Sequence, residues 1–299
     1  MMELCLGTVQ FGLDYGIQNV KKPALADAVS WLDYATQNGI RAIDTAKAYG
    51  TAEEVVGTFL ERKTIPRDSL TISTKFLPNL LDEVKPEYYL SVIENELKSQ
   101  LETLHTDYVD AYVFHSARYA FDEEKLSAIH RMKEKGFARR VGVSVYKPRE
   151  AEACFSSSYV DFIQAPYSIF DHRMKANGIL DSEKRGDCMI DTRSAFIQGL
   201  IVMDEEHVPE FLSEAKTIVG KINRICAEND ISRVQLALQY VKREKSISHL
   251  VFGVDSLDQL KEDIDLFEKS LPDDLMEEIG KEFDGLKAEI VMPSLWHKE

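Results

Sequence analysis

The chain has 299 residues, 44% hydrophobic and 29% charged, a globular composition that excludes disorder, collagen and coiled coil. Its 36 Lys+Arg against 51 Asp+Glu leave a net charge of −15, which argues against a nucleic-acid groove or an anionic membrane surface. No apolar run approaches the roughly 20 residues of a membrane span, and the opening MMELCLGTVQFGLDYG lacks the basic start of a signal peptide.

ELCLGT (3–8) reads as a first strand. Leu25, Ala28, Val29 and Leu32 then share one helix face, and Trp31 beside that stripe is expected to pack a flank. RAIDTA (41–46) is the second strand, and Thr51 with Glu54 spells a T-x-x-E capping box for the next helix. LTISTKF (70–76) is the third, followed by a helix through Tyr89, Ile93, Leu97, Leu101 and Leu104. YVDAYVFH (108–115) is the fourth, with Leu126, Ile129 and Met132 on the helix after it. ARRVGVSV (138–145) is the fifth, and Pro148 suits the first turn of its helix. DFIQAPYS (161–168) is the sixth, and Asp171 to Asp187 reads as a short helix plus loop. CMIDTRSAF (188–196) is the seventh. A long loop, 197–209, leads from it into a helix carrying Leu212, Ala215, Val219, Ile222 and Cys226. A further helix spans Ser232 to Arg243, then HLVFGVD (249–255) is the eighth strand. Ser256 with Gln259 forms an S-x-x-Q box, and a last helix follows Pro272 with Leu275, Ile279 and Phe283.

Eight β-then-α units without a low-complexity linker predict one domain over 1–299: an α/β fold, the (β/α)8 TIM barrel, with extra helices near the C-terminus. The alternative is a doubly wound sheet. That fold normally carries G-x-G-x-x-G after an early strand, a spacing GTVQFG lacks. Cys5, Cys154, Cys188 and Cys226 are scattered, which fits reduced, buried thiols of a cytoplasmic protein. His105, His130, His172, His207, His249 and His297 show no ligand spacing, so no metal is expected.

In a barrel, polar residues at C-terminal strand ends are the site candidates. Asp44 ends strand two, Tyr49 follows in the next loop, Lys75 ends strand three and His115 ends strand four. Any one alone is as well explained by a helix cap, a satisfied core histidine or a structural ion pair. Four on consecutive strand ends are harder to dismiss. A phenol is a poor acid at neutral pH. A neighbouring ammonium lowers its pKa, a carboxylate holds the ammonium, and imidazole orients a substrate oxygen. That set suits proton donation in carbonyl reduction, with hydride from a cofactor because no side chain supplies one.

These segments resemble the aldo-keto reductase superfamily almost end to end: LGTVQFG, IDTAKAYG, STKF, VFHS, GVSVYKP, IQAPYS, RSAFIQGL and VFGVDSLDQL. The resemblance implies a catalytic tetrad of Asp44, Tyr49, Lys75 and His115, with Tyr49 as general acid/base. It implies a nicotinamide cofactor held by Gly7, Thr8, Asp44, Ser144, Gln164, Arg193, Ser194, Phe196, Gly253, Gln259 and Asp263. By the same resemblance, Ser144 and Gln164 match the family's carboxamide partners, Arg193–Phe196 matches its loop along the nicotinamide and pyrophosphate, and VFGVDSLDQLKED matches the segment where the adenosine phosphate docks.

Departures are informative. Val145 stands where many members have Asn, Arg193 where many have a Tyr that stacks on the ring, and Gly253 and Gln259 where NADP-specific members often place Lys and Arg against the 2′-phosphate. Family habit favours NADPH; the nearby Asp255, Asp258, Glu262 and Asp263, with Lys261 alone basic, make NADH the alternative. Arg118, His172 and Arg173 hint at a polar or anionic substrate such as a sugar derivative, and Trp296 is expected to anchor the tail to a helix, the alternative being a reach over the barrel mouth. The expected partner is a small carbonyl or alcohol. Two other readings are a cofactor-binding regulatory subunit with little catalysis and a Schiff-base aldolase using Lys75.

Overall fold

A computed structural model describes residues 2–296, so His297 lies outside the described residues. Eight parallel strands close into a barrel in sequence order. They are β1 (Glu3–Gly7), β2 (Ala42–Asp44), β3 (Thr71–Phe76), β4 (Val109–Phe114), β5 (Ala138–Ser144), β6 (Phe162–Pro166), β7 (Met189–Arg193) and β8 (His249–Phe252). Closure runs through β1 and β8, from Glu3 opposite His249 to Leu6 opposite Phe252.

The strand period of two sorts the side chains. Leu4, Leu6, Ile43, Ile72, Tyr112, Phe114, Val143, Ile163, Ile190 and Leu250 all join the main apolar core with the surrounding helices. The alternate set faces inward and is more mixed: Cys5, Asp44, Lys75, Ala111, Val113, Gln164 and Asp191 are buried but absent from that core, and Phe162 packs with Ala111 and Val113 in a separate interior cluster. Position 142 has to be glycine for a steric reason, since a Cβ there would meet the carbonyl oxygen of Phe162 on the neighbouring strand at 1.6 Å. His249 closes the lower interior by bonding Asp191, Nδ1 to Oδ1 at 2.8 Å.

The helices, in chain order, are α1 (Val9–Gly12), α2 (Leu25–Gln37), α3 (Ala52–Glu61), α4 (Tyr89–Thr103), α5 (Glu123–Glu134) and α6 (Pro148–Ser156). After them come α7 (Arg173–Ala176), α8 (Ser182–Arg185), α9 (Lys216–Glu228), α10 (Arg233–Lys242), α11 (Leu257–Glu268), α12 (Asp273–Glu282) and α13 (Ala288–Val291). Trp31 packs edge-on against Phe11 with ring centroids 5.7 Å apart, on the barrel flank as expected. Pro148 opens α6, and Ser256 caps α11 by accepting the Gln259 N–H at 3.1 Å. The Gln259 side chain reaches past the cap to the Asp255 N–H at 2.7 Å.

Three local expectations fail. Thr51 does not cap α3: its backbone is not extended (ψ 12°), so its hydroxyl turns away and accepts a hydrogen bond from Lys22 at 3.0 Å. The 197–209 segment is not open loop but holds 3₁₀ turns at Ile197–Val202 and Glu205–His207. A third turn, Glu210–Ala215, takes Leu212 and Ala215 out of the expected helix, because Leu212 has φ −117° and α9 begins only at Lys216.

These turns, with α9, α10, α12 and α13, enclose a second apolar core around Phe170, Leu200, Ile222, Ile279 and Phe283. Trp296 packs on its edge, 6.4 Å from Phe211, which ties down the tail. Among the described residues no helix is long and apolar enough to cross a membrane.

Candidate active site

Because β2 ends at Asp44 and β3 carries Lys75 one inward step higher, both side chains point into the barrel mouth. The Lys75 ammonium donates to both Asp44 oxygens, at 2.8 and 2.7 Å, and to the Thr45 carbonyl at 2.9 Å. Asp44 Oδ1 also accepts from Ser73 at 3.1 Å and from the Gln164 amide at 2.8 Å. Burial by itself would push the Lys75 pKa down; the Asp44 carboxylate and Tyr49 overcome that and raise it, so the ammonium stays charged.

Tyr49 arrives from the β2–α3 turn with its ring 4.8 Å from the Lys75 ammonium and edge-on to His115, centroids 5.7 Å apart. Burial raises the phenol's pKa above 10 and Lys75 pulls it part of the way back. The expected net lowering is therefore absent, because desolvation outweighs the ammonium. His115 follows the last residue of β4, and burial, then Lys75 and Arg193, depress its pKa to about 3. It is a neutral imidazole at physiological pH, with its Nδ1 buried and unpartnered.

Every expected site residue except Lys75, which stands behind Tyr49 and Asp44, lines one cavity of about 650 Å³. On the wall opposite Tyr49, Ser144 ends β5 and Gln164 lies on β6 directly beside it in register. Gln164 spends its N–H on Asp44, and its Oε1 is buried without a partner. An orphaned buried acceptor carries a desolvation cost unless a donor arrives, and a carboxamide N–H is such a donor. This wall therefore fits a nicotinamide carboxamide.

The segment after β7 bends over the cavity with left-handed backbone at Ser194, Ile197, Gln198 and Gly199. It meets the 15–20 turn where Ile17 N–H donates to the Gln198 carbonyl at 3.1 Å and the Gln198 amide to Tyr15 Oη at 3.2 Å. A β-branched residue at φ 47°, as Ile197 is, marks strain of the kind that concentrates at ligand clamps.

The far end of the cavity is walled by Gly253, Asp255, Gln259, Glu262 and Asp263. A Cβ at Gly253 would fall 2.3 Å from Gln10 Oε1, so the Gln10 side chain occupies the space a longer residue would need. Lys261 turns away to pair with Asp258 at 3.1 Å. Burial and then Glu262 push the Asp263 carboxyl up to about 8.

Arg118, His172 and Arg173 do not line the cavity. Arg118 pairs with Asp82, Arg173 with Asp171 at 2.6 Å, and His172 is held between Tyr240 at 2.8 Å and Asp284 at 3.3 Å. The sequence reading missed Gln10, Tyr15, Tyr146 and Gln198, all of which line it. Tyr146 had a local signal, since it follows Ser144 by two residues at a strand end. Among the described residues no group of His, Cys, Asp and Glu is placed to hold a metal ion.

The Aldo/keto reductase family profile matches residues 3–282. The chain belongs to that family. It is thus an oxidoreductase of carbonyl and alcohol groups, in a family that uses a nicotinamide cofactor. YqkF, an uncharacterized oxidoreductase of Bacillus subtilis, is 26% identical over 254 residues, 79% of this chain and 81% of the relative. The NADH-specific methylglyoxal reductase of Escherichia coli is 24% identical over 268 residues, with the same two coverages of 79% and 81%. In fold, the barrel is similar to the holo form of the aldo-keto reductase AKR11C1 from Bacillus halodurans. That likeness has a TM-score of 0.75 at 23% identity, over 93% of this chain and 91% of that one.

Proposed function

We propose that this aldo/keto reductase interconverts an aldehyde or ketone and the corresponding alcohol, with Tyr49 giving and taking the proton and NADH as preferred cofactor. The observation that carries this is the meeting of a buried phenol, a neutral imidazole and a carboxylate-held ammonium at the cavity wall opposite the orphaned Gln164 oxygen. Bound NADH supplies the hydride.

A carbonyl oxygen between Tyr49 and His115 accepts one hydrogen bond from the phenol and one from the imidazole. Tyr49 passes its proton to that oxygen as the carbon takes the hydride, and the resulting phenolate lies beside the Lys75 ammonium. Asp44 keeps Lys75 charged and in place. The raised phenol pKa means that the resting residue holds its proton until the substrate is bound. Lys75 is fully engaged and its pKa raised, which speaks against a Schiff-base nucleophile, whose amine must be neutral.

Family habit points to NADPH; charge supports NADH. A 2′-phosphate dianion at the far end would lie beside Asp255 and Glu262, with Asp263 mostly protonated below about pH 8, and with no Lys or Arg among the described residues of that wall. We further read residues 1–299 as one domain and place the protein in the cytoplasm, in keeping with four free, buried cysteines. The name of the E. coli relative makes methylglyoxal the first substrate to try.

The test is a parallel fluorescence titration with NADH and NADPH at matched ionic strength, followed by methylglyoxal reduction with each. NADH should bind tighter by roughly tenfold or more and support turnover. Tighter NADPH binding overturns the cofactor preference, and binding of neither overturns the reading itself.

A further inference from the structure

Among the described residues, Arg193 is the sole Lys or Arg that lines the cavity. Its half-buried guanidinium lies over the Tyr146 ring, 4.3 Å from the centroid. It donates to the Val145 carbonyl at 3.0 Å and to the Ser194 hydroxyl at 3.3 Å. These partners fix the plane of the group but cancel none of its charge. Among the described residues no carboxylate pairs with it.

Register places that charge relative to the orphaned acceptor. β6 and β7 are neighbours, with Gln164 opposite Asp191 and Pro166 opposite Arg193. Two residues along a strand return to the same face about 6.6 Å further on. Arg193 thus stands one inward-facing step above Gln164, toward the mouth, on the strand beside it. A carboxamide that satisfies Gln164 Oε1 carries its attached ring into the space walled by Tyr49 and His115 on one side and the Arg193–Tyr146 plate on the other.

We propose that Arg193 lies against the nicotinamide ring and selects its reduced, uncharged form over its oxidised, cationic form, with Tyr146 as the positioning residue that holds the guanidinium flat. The proposal rests on the nicotinamide reading above and adds to it a preference between redox states. Like charges repel and a neutral ring is indifferent, so the penalty falls on NAD⁺ alone. Spent NAD⁺ leaves more readily, and the protein loads NADH against competition from NAD⁺. The cost is that bound NADH is a weaker hydride donor than it would be beside a neutral residue. A tyrosine stacking at this position would impose no such bias.

The test measures dissociation constants for NADH and NAD⁺ separately, by fluorescence or calorimetry, in the wild type, Arg193→Gln, Arg193→Lys and Tyr146→Ala. The wild type should favour NADH. Arg193→Gln should shrink the NADH/NAD⁺ preference by on the order of tenfold, mainly through tighter NAD⁺. Arg193→Lys should keep most of the preference, and Tyr146→Ala should weaken it with the charge still present. An unchanged ratio in Arg193→Gln overturns the proposal. It does so whether both affinities fall together, as for a guanidinium on the pyrophosphate, or neither moves, as for one facing only the substrate. Failure of the wild type to bind either nucleotide would instead overturn the cofactor reading beneath it.

Discussion

The Asp44 carboxylate meets the Lys75 ammonium through both oxygens, and the two side chains are only 5% and 1% exposed. A pair this buried loses much of its Coulomb gain to desolvation, so it is weak evidence for stability and better explained by what it holds in place. Breaking it from one side leaves a bare charge in the barrel. Lys75→Met should therefore cost about 3–5 kcal/mol of unfolding free energy. Asp44→Asn/Lys75→Met together should cost less than the two single changes summed. Urea melts of the four proteins measure this, and simple additivity would show that the pair is not coupled.

His115 should stay neutral through the whole physiological range. Its folded pKa of about 3 lies below the ordinary 6.5, so the unfolded chain binds the extra proton. Stability from this residue is complete above pH 6.5 and is lost as pH falls toward 3. Imidazole nitrogen shifts followed by NMR should show no titration of His115 between pH 5 and 8. A midpoint near 6.5 would mean that the ring is far more hydrated than its packing implies.

Asp263 has the opposite sign. Its folded pKa of about 8 exceeds that of a free carboxyl, so the native state binds the extra proton between about 4 and 8 and loses stability as pH rises across that window. Asp263→Asn should raise the melting temperature at pH 8.5 and leave it nearly unchanged at pH 4. A gain at both pH values would point to packing rather than ionisation.

Acidic residues at the far end of the cavity should control which nucleotide binds. Gln259→Arg with Glu262→Gln removes one negative charge and adds one positive charge on that wall. The double variant should tighten NADPH by tenfold or more, an order of magnitude expected of two charge changes near a dianion, with NADH affinity little altered. Equal changes for both nucleotides would show that this wall faces some other group.

Much of the fold was legible because the barrel strands are short, β-branched and bounded by helical periods, so LTISTKF and YVDAYVFH announce themselves. The failures share a cause. Thr51 and Ser256 spell the same capping motif, yet only Ser256 has the extended backbone that aims its hydroxyl at the helix. Leu212 and Ala215 keep helical spacing but bury against the second core from a 3₁₀ turn. In the site, strand-end polarity exposed Asp44, Lys75 and His115, because a charged residue after an apolar run asks for a reason. The Arg193–Tyr146 stack and the Gln10–Gly253 contact join residues from separate strand ends or loops. No spacing rule encodes such contacts, and they emerge only when the barrel closes.

The central claim is that the Tyr49 hydroxyl carries the proton, and Tyr49→Phe tests it most directly, since it removes one oxygen and leaves the ring beside Lys75 and His115. NADH binding and the rate of methylglyoxal reduction should be measured on the same preparation. Tyr49→Phe should keep NADH affinity within about threefold of wild type and lower the turnover number by about 10² or more, the usual weight of a general acid. Wild-type turnover in Tyr49→Phe would contradict that claim.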